Sequence, residues 1–115
     1  MRGEGSGQTG NGVIFRNIRV EDKRPTLQSF FIAMKGAAPY DASGQARGAG
    51  DMTGVLFQNI AIAAPSVLGE PEILWGAAGS AFTNITFDNV TIGGVKLVSQ
   101  GQFNTNGYVN NLIFK

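Results

Sequence analysis

One short hydrophobic phrase organises this chain, and it is written three times. "VIFRNIRV" (Val13 to Val20), "VLFQNIAI" (Val55 to Ile62) and "ITFDNVTI" (Ile85 to Ile92) share the form [Val/Leu/Ile]-x-Phe-x-Asn-[Ile/Val]-x-[Ile/Val]. A truncated fourth copy, "NNLIFK", sets Leu112, Ile113 and Phe114 against Ile85, Thr86 and Phe87. Apolar and other residues alternate on each side of the Asn, with many β-branched side chains, which predicts strand. Each side is too short to be an ordinary hairpin strand by itself. The polar pairs Arg16-Asn17, Gln58-Asn59 and Asp88-Asn89 therefore predict a sharp bend within a continuing strand. Asn suits such a corner, because it tolerates left-handed backbone angles and its amide can bond to neighbouring groups.

The phrase returns at intervals within the roughly 20–50 residues typical of repeat architectures. A strand that bends at Asn and comes back in register one turn later is a right-handed parallel β-helix. The expected fold class is all-β, a short right-handed parallel β-helix of about three to four coils. Coils stacked roughly 4.8 Å apart would place Asn17, Asn59 and Asn89 one above another, with their amides bonded along the stack. The Phe rings would pile up inside.

A third strand per coil is expected between copies of the phrase. The candidates are "SFFIAM" (Ser29 to Met34), "EILW" (Glu72 to Trp75) and "VKLVS" (Val95 to Ser99), each followed shortly by Gly, at Lys35-Gly36, Trp75-Gly76 and Gln100-Gly101. "LQSFFIAM" also fits a short helix. Connections differ in length, from the two residues of Gly93-Gly94 to the long loop from Lys35 to Gly54. The domain reading is a flexible, Gly-rich N-terminal segment over 1–11 and a single β-helix domain over 12–115.

Composition narrows the chemistry. Charged residues are 15% of the 115, and Gly is frequent at 17, which suits a β chain with many tight turns. A net charge of +1 supplies no field for nucleic acid or an anionic membrane, and no apolar run is long enough to span a bilayer. Neither partner is expected. Without Cys or His there is no disulfide, thiolate or imidazole chemistry, so any acid–base work falls to Asp, Glu, Lys, Arg or Tyr. No cofactor or metal is expected. The N-terminal "MRGEGSGQTGNG" shows no apolar signal core and no phosphate-loop ending.

The phrases "NITFDNVTIGG" and "GVIFRNIRVED" resemble the coils of pectin-lyase-like right-handed β-helix proteins, a superfamily that includes polygalacturonases and other β-helix glycoside hydrolases, pectate and pectin lyases, and phage tailspikes. The resemblance runs from Gly12 to Lys115. It implies a carbohydrate-associated domain, a miniature relative or C-terminal part of a polysaccharide hydrolase or lyase, binding a polysaccharide or oligosaccharide. It also leaves open a structural module whose role is assembly. The catalytic motifs of the family, paired Asp with His and Arg-x-Lys, have no counterpart here, nor is there a clustered set of acidic calcium ligands. No catalytic residue carries over.

The residues themselves offer weaker candidates. Asp41 and Asp51 flank Arg47 in the long loop, and two carboxylates held ~5–9.5 Å apart could act as acid and base on a glycosidic bond. Both Asp also sit where turns begin, in "YDASG" and "GDMTG". Lys35, Trp75 and Gln100 share a place before Gly, so they would line up across three coils as an indole flanked by hydrogen-bonding groups, with Arg47 nearby. Lys23 and Arg24 in "EDKRP" could hold a sugar acid or merely form an exposed turn. The triplets starting at Asn84 and Asn89 match glycosylation acceptors and equally match strand chemistry. Open coil ends would leave backbone unpaired, which predicts self-association as a homodimer or other homo-oligomer.

Overall fold

The computed structural model describes residues 2–3, 10–21, 32–36, 51–63, 71–77 and 79–115. Within them the chain is all-β, with eleven strands and one 3-10 turn at Gln100–Gln102. One sheet orders β1 (Arg2–Gly3), β4 (Ala33–Gly36), β7 (Glu72–Trp75) and β10 (Phe103–Thr105), all parallel. The second contains β2 (Gly10–Asn11), β5 (Met52–Thr53), β8 (Phe82–Ile92), β6 (Leu56–Ile62) and β3 (Ile14–Val20), with β11 (Val109–Phe114) added along β8. In this sheet the long β8 pairs with β5 through Phe82–Thr83 and with β6 through Thr86–Ile92. Arg2–Gly3 and Gly10–Asn11 belong to the segment expected to be flexible, and they pair in parallel with β4 and β5.

The repeated phrase stacks on itself without slippage. Phe15 pairs with Phe57, Phe57 with Phe87, and Phe114 with Phe87. The rings follow the backbone: centroids lie 5.1 Å apart for Phe15–Phe57 and for Phe57–Phe87, and 5.4 Å for Phe87–Phe114, all stacked. Phe103 enters the pile from β10, 4.8 Å from Phe87. Phe82, Ile85, Phe87 and Val90 are fully buried, and with Val55, Leu74 and Phe103 they form one core between the sheets.

The corners come in two columns. Asn17, Asn59 and Asn89 all have left-handed φ, at 58°, 53° and 55°. Their amides bond in series: Asn89 Nδ2 donates to Asn59 Oδ1 at 3.1 Å, and Asn59 Nδ2 to Asn17 Oδ1 at 3.2 Å. The second column lies five residues earlier and consists of Gly12, Gly54, Asn84 and Asn111, again with positive φ. Here Asn111 Nδ2 donates to Asn84 Oδ1. Asn84 therefore accepts, and Asn89 donates, a side-chain bond within the stack.

The third-strand expectation needs one correction. "EILW" is β7, and the end of "SFFIAM" enters β4, while Ser29 to Phe31 and the start of "LQSFFIAM" lie outside the described residues. "VKLVS" does not take the third place. Gly93 and Gly94, at φ 59° and 78°, make a tight reversal, and β9 (Val95–Lys96) folds back antiparallel on β8. Paired glycines of positive φ are what a two-residue hairpin turn requires. The strand beside β7 is instead β10, from "QFNTN", with Phe103 opposite Glu72 and Thr105 opposite Leu74.

These contacts predict separable costs. Asn59→Gly keeps the left-handed corner and removes the amide, so it should lower stability by about 1 kcal/mol. Asn59→Ala also forces a β-carbon into that conformation, which should add about 1–2 kcal/mol. Phe57→Ala should cost ~3–5 kcal/mol. Urea unfolding measures all three; equal effects of Gly and Ala would refute the left-handed corner, and a near-neutral Phe57→Ala would refute the stack.

Candidate functional site

Trp75 closes β7 and remains 41% exposed although its strand neighbours Ile73 and Leu74 are buried. A parallel strand buried on both sides needs apolar residues, so an indole at its last position is where the strand can present a large ring outward. The indole N–H donates to Asn104 Oδ1 at 3.1 Å, tying the ring to β10. Asn104 is exposed, and Thr105 beside it accepts from Gln100 Nε2 at 3.3 Å. The surface thus combines one aromatic ring with the uncharged amide of Asn104, whereas Thr105, opposite the buried Leu74, is on the other face of β10.

The floor of this surface is set by Asn106. Its Oδ1 accepts from the Gly76 N–H at 3.1 Å and from the Tyr108 N–H at 3.2 Å, while its Nδ2 donates to the Gly76 carbonyl at 2.8 Å. One side chain thereby does for Gly76 what a neighbouring strand would do. Gly76 is needed there, since a β-carbon would meet Tyr108 Cβ at 2.6 Å and Tyr108 O at 2.7 Å. Tyr108, half-exposed, stands beside the residue that follows Trp75.

The expected site residues divide. Lys35 is register-paired with Trp75 on one side and with Arg2 on the other, so the first two members of the expected row are adjacent. Gln100 is not in that row. It begins the 3-10 turn and donates to Thr105, on the opposite face of β10 from Asn104, because β10, not "VKLVS", is the third strand. Asp51 is exposed, and its Oδ1 accepts the Ala81 N–H at 2.9 Å, bracing the segments that lead into β5 and β8. Asp41, Arg47, Lys23 and Arg24 lie outside the described residues. In the sequence, Asp41 and Arg47 fall between β4, which ends at Gly36, and Asp51.

Asn104, Asn106 and Tyr108 were not among the sequence candidates. The Asn-Gly pair at Asn106-Gly107 is a turn signal that would have marked this corner. Glu72 is a further buried residue, only 4% exposed, whose Oε2 accepts the Ile32 N–H at 3.0 Å. A groove of about 430 Å3, formed by Arg19, Ala61, Ile62, Thr91 and Gly94 among others, lies at the far ends of β3, β6 and β8. Among the described residues no three His, Cys, Asp or Glu gather to hold a metal ion, and no helix is long and apolar enough to cross a membrane. No known family, curated protein or solved structure matches the chain.

Gly76→Ala should destabilise the chain by about 2 kcal/mol or more, because the conflict is with backbone. Asn106→Ala should cost about 1–3 kcal/mol by stranding the Gly76 groups it satisfies. Thermal unfolding reads both, and a neutral Gly76→Ala would show that Tyr108 does not sit against this glycine.

Proposed function

We propose that the chain is a short right-handed parallel β-helix of the pectin-lyase-like kind, and that its Trp75 surface binds a polysaccharide or oligosaccharide. Three features support the β-helix reading. Both sheets are parallel apart from the short β9, the repeated phrase pairs with itself in sequence order, and the corner residues recur at fixed positions. The glycan reading rests on one observation above the others. Trp75 keeps 41% of its surface in solvent while its N–H is bonded to the exposed Asn104. An aromatic face held still beside an exposed amide matches a sugar ring, which has an apolar face and a rim of hydroxyls. Asn104 supplies the polar side, and Lys35 lies next in register.

Binding fits these residues better than catalysis does. Asp51 already accepts a backbone N–H, a bracing role, and a two-carboxylate reaction would need Asp41 as its partner. Hydrolysis abolished by both Asp41→Asn and Asp51→Asn would reverse that assignment. The direct test is a tryptophan-fluorescence titration with neutral and acidic oligosaccharides. A saturable change is expected, lost in Trp75→Ala and weakened several-fold in Asn104→Ala. Silence across a broad glycan array would overturn the reading.

A further inference from the structure

The outer edge of β3 is built to receive one more strand. Among the described residues β3 pairs only with β6, so its other edge offers unpaired backbone. Ile18 continues the inward column of Ile60 and Val90, which are buried, yet it is 38% exposed; Ile14 is 53% exposed. Apolar interior thus ends in solvent at this edge.

The polar columns say what should cover it. Asn17 Oδ1 accepts from Asn59, and among the described residues nothing accepts from Asn17 Nδ2. One position earlier, Arg16 Nε donates to Gln58 Oε1 at 2.7 Å, and Gln58 Nε2 donates to Asp88 Oδ2 at 2.9 Å. The terminal nitrogens of Arg16 have no bond among the described residues. Two successive residues of β3 therefore present hydrogen-bond donors outward, one of them cationic. Arg19 adds a second positive charge, paired among the described residues with the exposed Glu21 at 3.4 Å.

We propose that this edge docks an extended strand of a partner protein, added in parallel, with an acidic residue opposite Arg16 and an Asn or Asp opposite Asn17. An aromatic or aliphatic residue two places before that Asn would cover Phe15, and a β-branched one just after it would cover Ile18. The parallel direction follows from the corner: only a strand with its own left-handed bend at the same place, running the same way, keeps all four columns in line. Addition of a strand to a sheet edge is a common recognition mode, in which the backbone supplies affinity and the side chains supply selection. A second copy of this chain fits less well. Antiparallel pairing of two β3 edges centred between Asn17 and Ile18 would bring Arg16 of each copy against Arg19 of the other. Head-to-tail stacking would set Lys115, next after Asp88 in the Arg16–Gln58–Asp88 column, against Arg16.

This inference is independent of the glycan reading and rests on the stacking that supports the β-helix. The experiment uses the full chain and a fluorescent peptide with the sequence of residues 84–92, which carries an Asp-Asn pair at the required place. Anisotropy should show saturable binding. Arg16→Glu, at an exposed position, should weaken binding about tenfold, and a peptide with Asp88→Lys should regain the lost affinity on that variant. Asn17→Gly, which keeps the left-handed corner, should weaken binding without lowering the melting temperature of the protein by more than a few degrees. Absence of binding, or equal binding of wild type and both variants, would overturn the proposal. So would a dimer in sedimentation that Arg16→Glu dissociates, since the occupant would then be a second copy. Cooperative unfolding of the same sample with the costs expected at Asn59 would locate any failure in the docking and not in the stack.

Discussion

A left-handed corner placed at the same point of every repeat is the constraint on which this structure depends. Side chains alternate along a strand, so a bend one residue early or late would turn every buried residue beyond it outward. With Asn17, Asn59 and Asn89 fixed at φ between 53° and 58°, Ile60 and Ile62 point into the core in the same sense as Phe57 before the bend. Only Gly and a few short polar residues accept that conformation cheaply. Asn adds what Gly lacks, an amide of the right length to reach the next strand. The corner therefore selects its residue twice, once for backbone and once for pairing.

The interior and the surface then divide the remaining work. Phe57 and Phe87 are buried within their stack and supply non-directional burial, which would tolerate some sliding of one strand on another. The amide bonds do not tolerate it, because a shift by one residue would leave each donor facing a different group. Burial of the rings holds the strands together, and the exposed amides fix where along each other they lie. Asn106 extends the same device to the site, since its side chain closes the hydrogen bonds of Gly76 and so sets the end of the strand that carries Trp75.

Much of this was legible in the sequence, and the omissions have physical causes. The phrase around Asn17, Asn59 and Asn89 reads directly because each copy uses the same residue at the same place. The second column of corners, Gly12, Gly54, Asn84 and Asn111, was missed because two residue types meet one backbone requirement. Reading for shared tolerance of positive φ, in place of identity, finds it as the residue before Val13, Val55, Ile85 and Leu112. "VKLVS" was misplaced because alternation marks a strand without saying whether its neighbour runs parallel or antiparallel; the glycines before it decided that. The recurrence of a residue before Gly at Lys35, Trp75 and Gln100 then grouped two true neighbours with one residue from a turn. Asn104 carries no signal in a strand pattern and Asn106 only the turn signal it shares with Gly107, since their importance comes from what β7 places beside them.

Hydrogen bonding also gives the stack a direction. The corner amides donate from later strands toward earlier ones, from Asn89 to Asn59 to Asn17. The neighbouring column donates the other way, from Arg16 to Gln58 to Asp88. The two columns run across the strands in opposite senses, so their donor-to-acceptor directions oppose one another. At β3 the two directions have one result. The corner column ends there with an amide whose N–H groups still face outward, and its neighbour begins there with a guanidinium. Both ends need acceptors, so this edge has a chemical preference that the interior strands, already satisfied on both sides, do not show.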